Sequence, residues 1–168
     1  MPGGVQRDWL VMWGRLRAHG DAWSAYDYRV EPSGSGRWTE ISAETDALVY
    51  VREAILESQQ HPRVHVSRAA DACREDYALG IPRRMLWRHG SQGAFLFDAL
   101  PGVSVPAHCH RHDEECLMLE GELFIDDELL RAGEYQIAPA GTAHRSVMTD
   151  TGVLIYAHGD VDLDVSTS

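Results

Sequence analysis

From residue 81 onward the chain is a succession of short apolar runs cut by glycine and proline: "MLWRH", "GAFLFDAL", "VSVPAHCH", "ECLMLEGELFI", "EYQIAPAG", "HRSVMTD" and "GVLIYAHGD". The runs recur every 8 to 14 residues or so, a spacing that suits strands joined by tight turns. It predicts an all-β sandwich or barrel. No tandem repeat and no low-complexity tract competes with that reading. With 168 residues and 44% hydrophobic content, the chain has material for one such domain and an appendage.

Residues 1 to about 80 read differently. In "WLVMWGRLRAH", Trp9, Val11, Met12, Trp13 and Leu16 fall near one helical face. "EPSGSGRW" is a loop on its proline, serine and glycine content. "SAETDALVYVREAILESQQ" offers Ser42 as an N-cap and keeps Leu48, Val51, Ile55 and Leu56 at helical spacing, although "ALVYV" fits a strand equally well. "SRAADACREDYALG" predicts a further helix closed by Gly80. The expectation is a partly helical extension, residues 1–80, followed by a β domain, residues 81–168. Trp9, Trp13, Trp23 and Trp38 are too much apolar surface for a free linker, so the extension should pack on the barrel or on a dimer partner.

Charge and cysteine usage exclude several functions. A net charge of −11 argues against nucleic acid as a partner. All fifteen basic residues are arginine, so Schiff-base and P-loop lysine chemistry are absent. No apolar stretch is long enough to span a membrane, and the N-terminal residues lack the pattern of a signal peptide. Cys73, Cys109 and Cys116 are odd in number and show no CxxC spacing, which fits a reducing, cytoplasmic location better than a disulfide framework.

The stretch "HCHRHDEECLMLEG", from His108 to Gly121, is the densest chemistry in the chain. It could be a metal site, an acid–base set or a polar turn leading into a strand. Side chains two apart on a strand share a face, so His108 and His110 point the same way. A following strand beginning near Asp113 would place Glu114, Cys116 and Met118 on one face and Glu115, Leu117 and Leu119 on the other. Two imidazoles and a carboxylate then converge in a pattern that a first-row metal accepts. "GEYQIAPAGTAH" supplies a fourth donor, His144, just after a Pro139–Gly141 turn.

These two segments resemble the paired motifs of the cupin superfamily. The first, G(X)5HXH(X)3E(X)6G, is met by Gly102, His108, His110, Glu114 and Gly121. The second, G(X)5PXG(X)2H, is met by Gly133, Pro139, Gly141 and His144. The asparagine that usually follows the last histidine is replaced by Met148. Within the superfamily the chain looks most like the ChrR-type subgroup. The resemblance implies a jelly-roll (double-stranded β-helix) barrel and one divalent ion, Fe2+ or Zn2+ before Mn2+ or Ni2+, on His108, His110, Glu114 and His144. Phe95, Phe97, Cys116, Met118, Met148 and Tyr156 are the candidate pocket lining. Glu115, His112 and Arg145 read as surface residues, Cys109 as packing on the other face, and His61 and His65 as loop residues.

Two functions from different classes follow from the resemblance. One is a non-haem metal-dependent dioxygenase acting on a small dicarbonyl or hydroxyketone, with no catalytic residue separate from the ligands. The other is a zinc-bound regulatory cupin that releases a sigma factor. The H(X)3C(X)2C zinc motif of such regulators is missing from residues 1–80, where Cys73 is the only cysteine. A metal-dependent isomerase or lyase is a third possibility, because this scaffold hosts those too. The oligomer expected is a homodimer.

Overall fold

The computed structural model describes residues 5–18, 20–32, 41–55, 63–71, 73–78, 80–162 and 164–165. Trp38, Leu56 and His61 lie outside the described residues. Two compact units divide between Ala72 and Cys73. The expected boundary near residue 80 moves earlier because Arg74–Ala78 pairs with Ile81–His89 in the second unit.

The first unit holds β1 (Val5–Trp13), β2 (Arg15–Ala18), β3 (Asp21–Ser24), β4 (Tyr28–Pro32), β5 (Ser42–Ala43), β6 (Leu48–Ile55) and β7 (His65–Ser67). They form a four-stranded sheet, β6-β1-β4-β7, and a three-stranded sheet, β3-β2-β5. Over the described residues, the three segments expected as helices are strands and turns instead. Trp9 and Val11 lie on β1 and Val49, Tyr50 and Val51 on β6, where branched and aromatic side chains suit a pleated surface. Gly14 turns the chain at φ +85°, and a Cβ there would meet the Asp46 carbonyl oxygen at 2.0 Å, so that position requires glycine. Gly80 is at φ +75° and leads into a strand rather than closing a helix.

Trp9, Val11, Leu16, Ala18 and Trp23 build the core of this unit. The Trp9 and Trp23 rings stand 4.2 Å apart, centre to centre, and the Trp23 indole donates to the Ala18 carbonyl. The Arg68 guanidinium covers the Trp23 ring at 3.7 Å. Trp13, in contrast, is half exposed.

The second unit holds β8 (Arg74–Ala78), β9 (Ile81–His89), β10 (Gln92–Ala99), β11 (Val103–Val105), β12 (His108–Cys109), β13 (Glu114–Ile125), β14 (Glu128–Arg131), β15 (Tyr135–Ala138), β16 (Ala143–His144), β17 (Val147–Thr149), β18 (Val153–Asp160) and β19 (Asp164–Val165). The apolar runs that set the sequence rhythm all become strands. The large sheet runs β11-β17-β13-β18-β10-β9-β8, with β14 and β15 also paired to β13, and a small sheet runs β16-β12-β19. It is a mainly β jelly roll, and among the described residues the expected helical extension is not seen.

Its core contains Met118, Leu123, Ile125, Val147, Val153, Ile155 and Ala157. β13 and β18 lie antiparallel, with Met118 opposite Ile155 and Cys116 opposite Ala157. Gly121 ends the first motif at φ +79°, where a Cβ would strike the Gly152 carbonyl oxygen at 2.1 Å. Leu117 is buried and Leu119 half-buried, in antiphase to Cys116 and Met118.

Candidate metal centre

Strand pairing sets the site. His108 on β12 is the direct cross-strand partner of His144 on β16. The ladder continues past the strand end, because the His110 N–H donates to the Thr142 carbonyl and the Gly141 N–H donates to the His110 carbonyl. Glu114 opens β13 opposite Ala138 of β15. The three imidazoles therefore form a triangle. Ring centres are 5.0 Å apart for His108–His110, 5.5 Å for His108–His144 and 5.1 Å for His110–His144. Glu114 Oε2 stands 3.3 Å from His110 Nε2.

The outer ring nitrogens are already engaged. His108 Nδ1 lies 2.8 Å from the Pro106 carbonyl, and His144 Nδ1 lies 3.5 Å from Asp126 Oδ2. Asp126 is fixed in turn by the backbone N–H groups of Arg145 and Ser146. Such contacts select the tautomer whose Nε2 lone pair is free, as supporting partners do for ligating histidines. His110 is 1% exposed, and among the described residues neither of its ring nitrogens has a hydrogen-bond partner. A buried imidazole left in that condition is costly unless another group completes it.

Burial holds the His110 imidazolium down to a pKa of about 4, helped by repulsion from His108 and His144. Burial also lowers His108, against the Pro106 hydrogen bond. His108 and His110 are thus held in the neutral form, the one that ligates. Glu114 is pushed up to about 7, first by burial and then by the nearby Asp160 carboxylate, against a hydrogen bond from the Cys116 thiol. A divalent cation there would reverse the cost of ionising Glu114.

As the side chains stand, no three His, Cys, Asp or Glu groups among the described residues are closed into an ion-holding set. Two sides of the triangle, 5.0 and 5.1 Å, match the roughly 4.5–5.2 Å between ring centres that an ion about 2.1 Å from each Nε2 would give, and the His108–His144 side, at 5.5 Å, is a little wider. The donor set, the orphaned His110 nitrogens and this spacing fit a divalent metal.

Next to the triangle lies a cavity of about 780 Å³ including its mouth. Phe97, Cys116 and Met148 border it, together with His108, His144 and Glu114. Phe95, Met118 and Tyr156 do not. Phe95 is buried between the Phe97 ring and the Arg83 guanidinium, and Met118 is consumed by the core. Tyr156 is out of phase with Ile155 and Ala157 on β18 and so faces away. Cys109 is half-buried and Arg145 exposed. Glu115 is half-buried and accepts a hydrogen bond from the Tyr135 hydroxyl.

Three supporting residues escaped the sequence reading. Asp160 borders the cavity, accepts the Arg111 N–H at 2.7 Å and the His112 N–H at 3.3 Å, and lies 2.5 Å from His112 Nδ1. His112 is therefore a partner of the site's floor, not an isolated surface residue. Gly159 lies under Glu114, where a Cβ would meet its Cγ at 3.1 Å. Asp126 sits at φ 52° in the turn between β13 and β14. Only Asp126 left a signal, the "DD" that separates two apolar runs.

A family model described as the ChrR cupin-like domain matches residues 63–162, more than half of the chain. The chain belongs to the ChrR cupin-like family. Cupins commonly bind a divalent metal. Among solved structures, this ChrR-like cupin is similar to a candidate dioxygenase from Nostoc punctiforme. The TM-score is 0.67 at 13% identity, over 99% of this chain and 65% of that one. A candidate acetylacetone dioxygenase from Methylibium petroleiphilum gives 0.53 at 16% identity, over 67% and 87%. The complex of Rhodobacter sphaeroides SigE with the anti-sigma factor ChrR gives 0.49 at 25% identity, over 55% and 52%. The ChrR-like cupin thus spans 65% of the Nostoc protein's length and 52% of the Rhodobacter one's. No match to a curated protein was found. Among the described residues, no helix is long and apolar enough to cross a membrane.

Proposed function

We propose that this ChrR-like cupin is a mononuclear metal-dependent dioxygenase acting on a small organic substrate of the dicarbonyl or hydroxyketone type. One observation carries the reading: three imidazoles and one carboxylate lie together, and His108, His144 and Glu114 of that group border an otherwise apolar cavity. His108, His110, Glu114 and His144 would hold the ion, with iron(II) the metal expected. Bound there, the ion supplies Lewis-acid and redox chemistry at positions left open by the four protein donors. Pro106 and Asp126 orient two of the rings, and Cys116 hydrogen-bonds Glu114. The apolar wall keeps bulk water from the reacting atoms. The fold shared with the two candidate dioxygenases agrees with this function.

The regulatory alternative, a zinc-bound cupin with a sigma factor as partner, is favoured by the family description alone. The test separates the two. Protein purified without added metal is assayed for metal content and for oxygen uptake with a panel of 1,3-dicarbonyls and hydroxyketones. One iron per chain with substrate-dependent uptake is the expected result. Stoichiometric zinc without uptake, even after iron replacement, would overturn it. His110→Ala should lose most of the bound metal while keeping its far-ultraviolet dichroism.

A further inference from the structure

The cavity wall makes a statement about the ligand beyond the donor set. Its charged and strongly polar groups gather at one end: His108, His144, Glu114, Cys116 and Asp160. The remainder is aliphatic or aromatic, with Val105, Leu123, Ile125, Val153, Ile155 and Phe97 as its main surfaces. Tyr77 lies edge-on to Phe97, and the Thr149 hydroxyl is spent on the Glu122 carbonyl at 2.7 Å. Among the described residues no arginine borders the cavity, and the chain has no lysine to contribute. The two carboxylates that do border it, Glu114 and Asp160, both stand at the histidine end, so no charged side chain among the described residues faces the remainder.

Such a wall can bury a hydrocarbon but has no counter-charge for an anion. Its length follows from β18. Val153, Ile155 and Ala157 share the cavity face, and four residues of strand at about 3.3 Å each give an apolar wall of about 13 Å. We infer that the cavity takes a neutral ligand with an oxygen-bearing head at the histidine end and an unbranched apolar tail along β18, and that it rejects ligands whose tail carries a carboxylate or phosphate. The head assignment rests on the metal reading; the tail assignment rests on the wall alone. Ala99, half-buried beside Val153 at the far end of the wall, limits the tail length.

The test displaces N-phenyl-1-naphthylamine, a neutral fluorescent probe, from the full-length protein. Competitors are straight-chain 2,4-diketones from pentane-2,4-dione to nonane-2,4-dione and an ω-carboxylate analogue of the longest. Each is measured with zinc, which supports no turnover, and without metal. Affinity should rise about fourfold per added methylene, the factor expected for burying one CH2, and the carboxylate should bind at least about a hundredfold more weakly. Ala99→Phe should weaken the longest diketone by a larger factor than pentane-2,4-dione. A flat length series, or a carboxylate bound as well as its neutral parent, overturns the inference, and both are read on the unmodified protein. Tail dependence that is identical with and without zinc, with no zinc retained, would sink the metal reading and leave the tail assignment standing.

Discussion

Glu114 owes its position to a residue with no side chain. A Cβ on Gly159 would lie 3.1 to 3.3 Å from Glu114 Cγ, Cβ and Cα. Gly159→Ala should therefore push the carboxylate away from His110 and weaken metal binding about tenfold, with little change in melting temperature. Isothermal titration with zinc reads the first and calorimetry the second. In the other unit, Asp8 is fully buried on β1, and burial lifts its pKa to about 6 in spite of Arg52 and Gln6. The folded state thus keeps this proton to higher pH than the unfolded state. The associated stability is present below about pH 4 and lost as pH rises through about 6. A pKa raised from 3.8 to about 6 corresponds to roughly 3 kcal/mol, at about 1.36 kcal/mol for each tenfold change in proton affinity. Urea unfolding of the wild type and of Asp8→Asn should show their difference moving by about 2–3 kcal/mol in favour of the asparagine between pH 4 and pH 7. The grouping of His108, His110, Glu114 and His144 was legible in the sequence, the first three from strand parity and His144 from the second cupin motif. Gly159 and Asp160 were not, since they reach Glu114 and Arg111 only across the fold; Asp160 and Arg111 are 49 positions apart.

Between elements, the segment joining β12 to β13 carries His110 at one end and Glu114 at the other, and Asp160 of β18 clamps its middle. Asp160→Ala leaves two backbone N–H groups without their acceptor, a loss of about 1–3 kcal/mol. The variant should lose stability by that amount and bind metal more weakly, whereas Asp160→Asn, which keeps an acceptor, should recover most of both. Denaturant curves and metal titrations of the pair distinguish these outcomes. In the first unit, Trp9→Ala would empty the space against Trp23 and should cost about 3–5 kcal/mol, read by thermal unfolding. The strands of the second unit from β9 onward could be read because glycine and proline mark their ends, whereas β8, expected as a helix, could not. Those of the first could not. Trp9, Val11, Met12, Trp13 and Leu16 satisfy a helical wheel by coincidence, while the turn at Gly14 and the pairing of β1 with both β4 and β6 decide the outcome. For "ALVYV" the two periods were in balance, and pairing with β1 settled it as strand.

At the scale of the molecule, all four proposed donors belong to the second unit. Saturating metal, at about a hundred times its dissociation constant, stabilises whatever unfolds with the site by about 2.7 kcal/mol. Hydrogen exchange should accordingly slow in β12, β13, β16 and β18 and stay unchanged in β1, β4 and β6. Equal slowing in both sets would show that the two units open as one. The pairing that builds the site also bears on its timing. β12 lies between β16 and β19, so His108 meets His144 and Val165 together, and Glu114 needs Gly159 beneath it. On a ribosome, where chains emerge at about 5–20 residues per second, both histidines of the first motif would wait for more than fifty further residues before their surroundings exist. A metal ion arriving earlier would find isolated imidazoles and no chelate, so loading belongs to the finished fold and not to its nucleation.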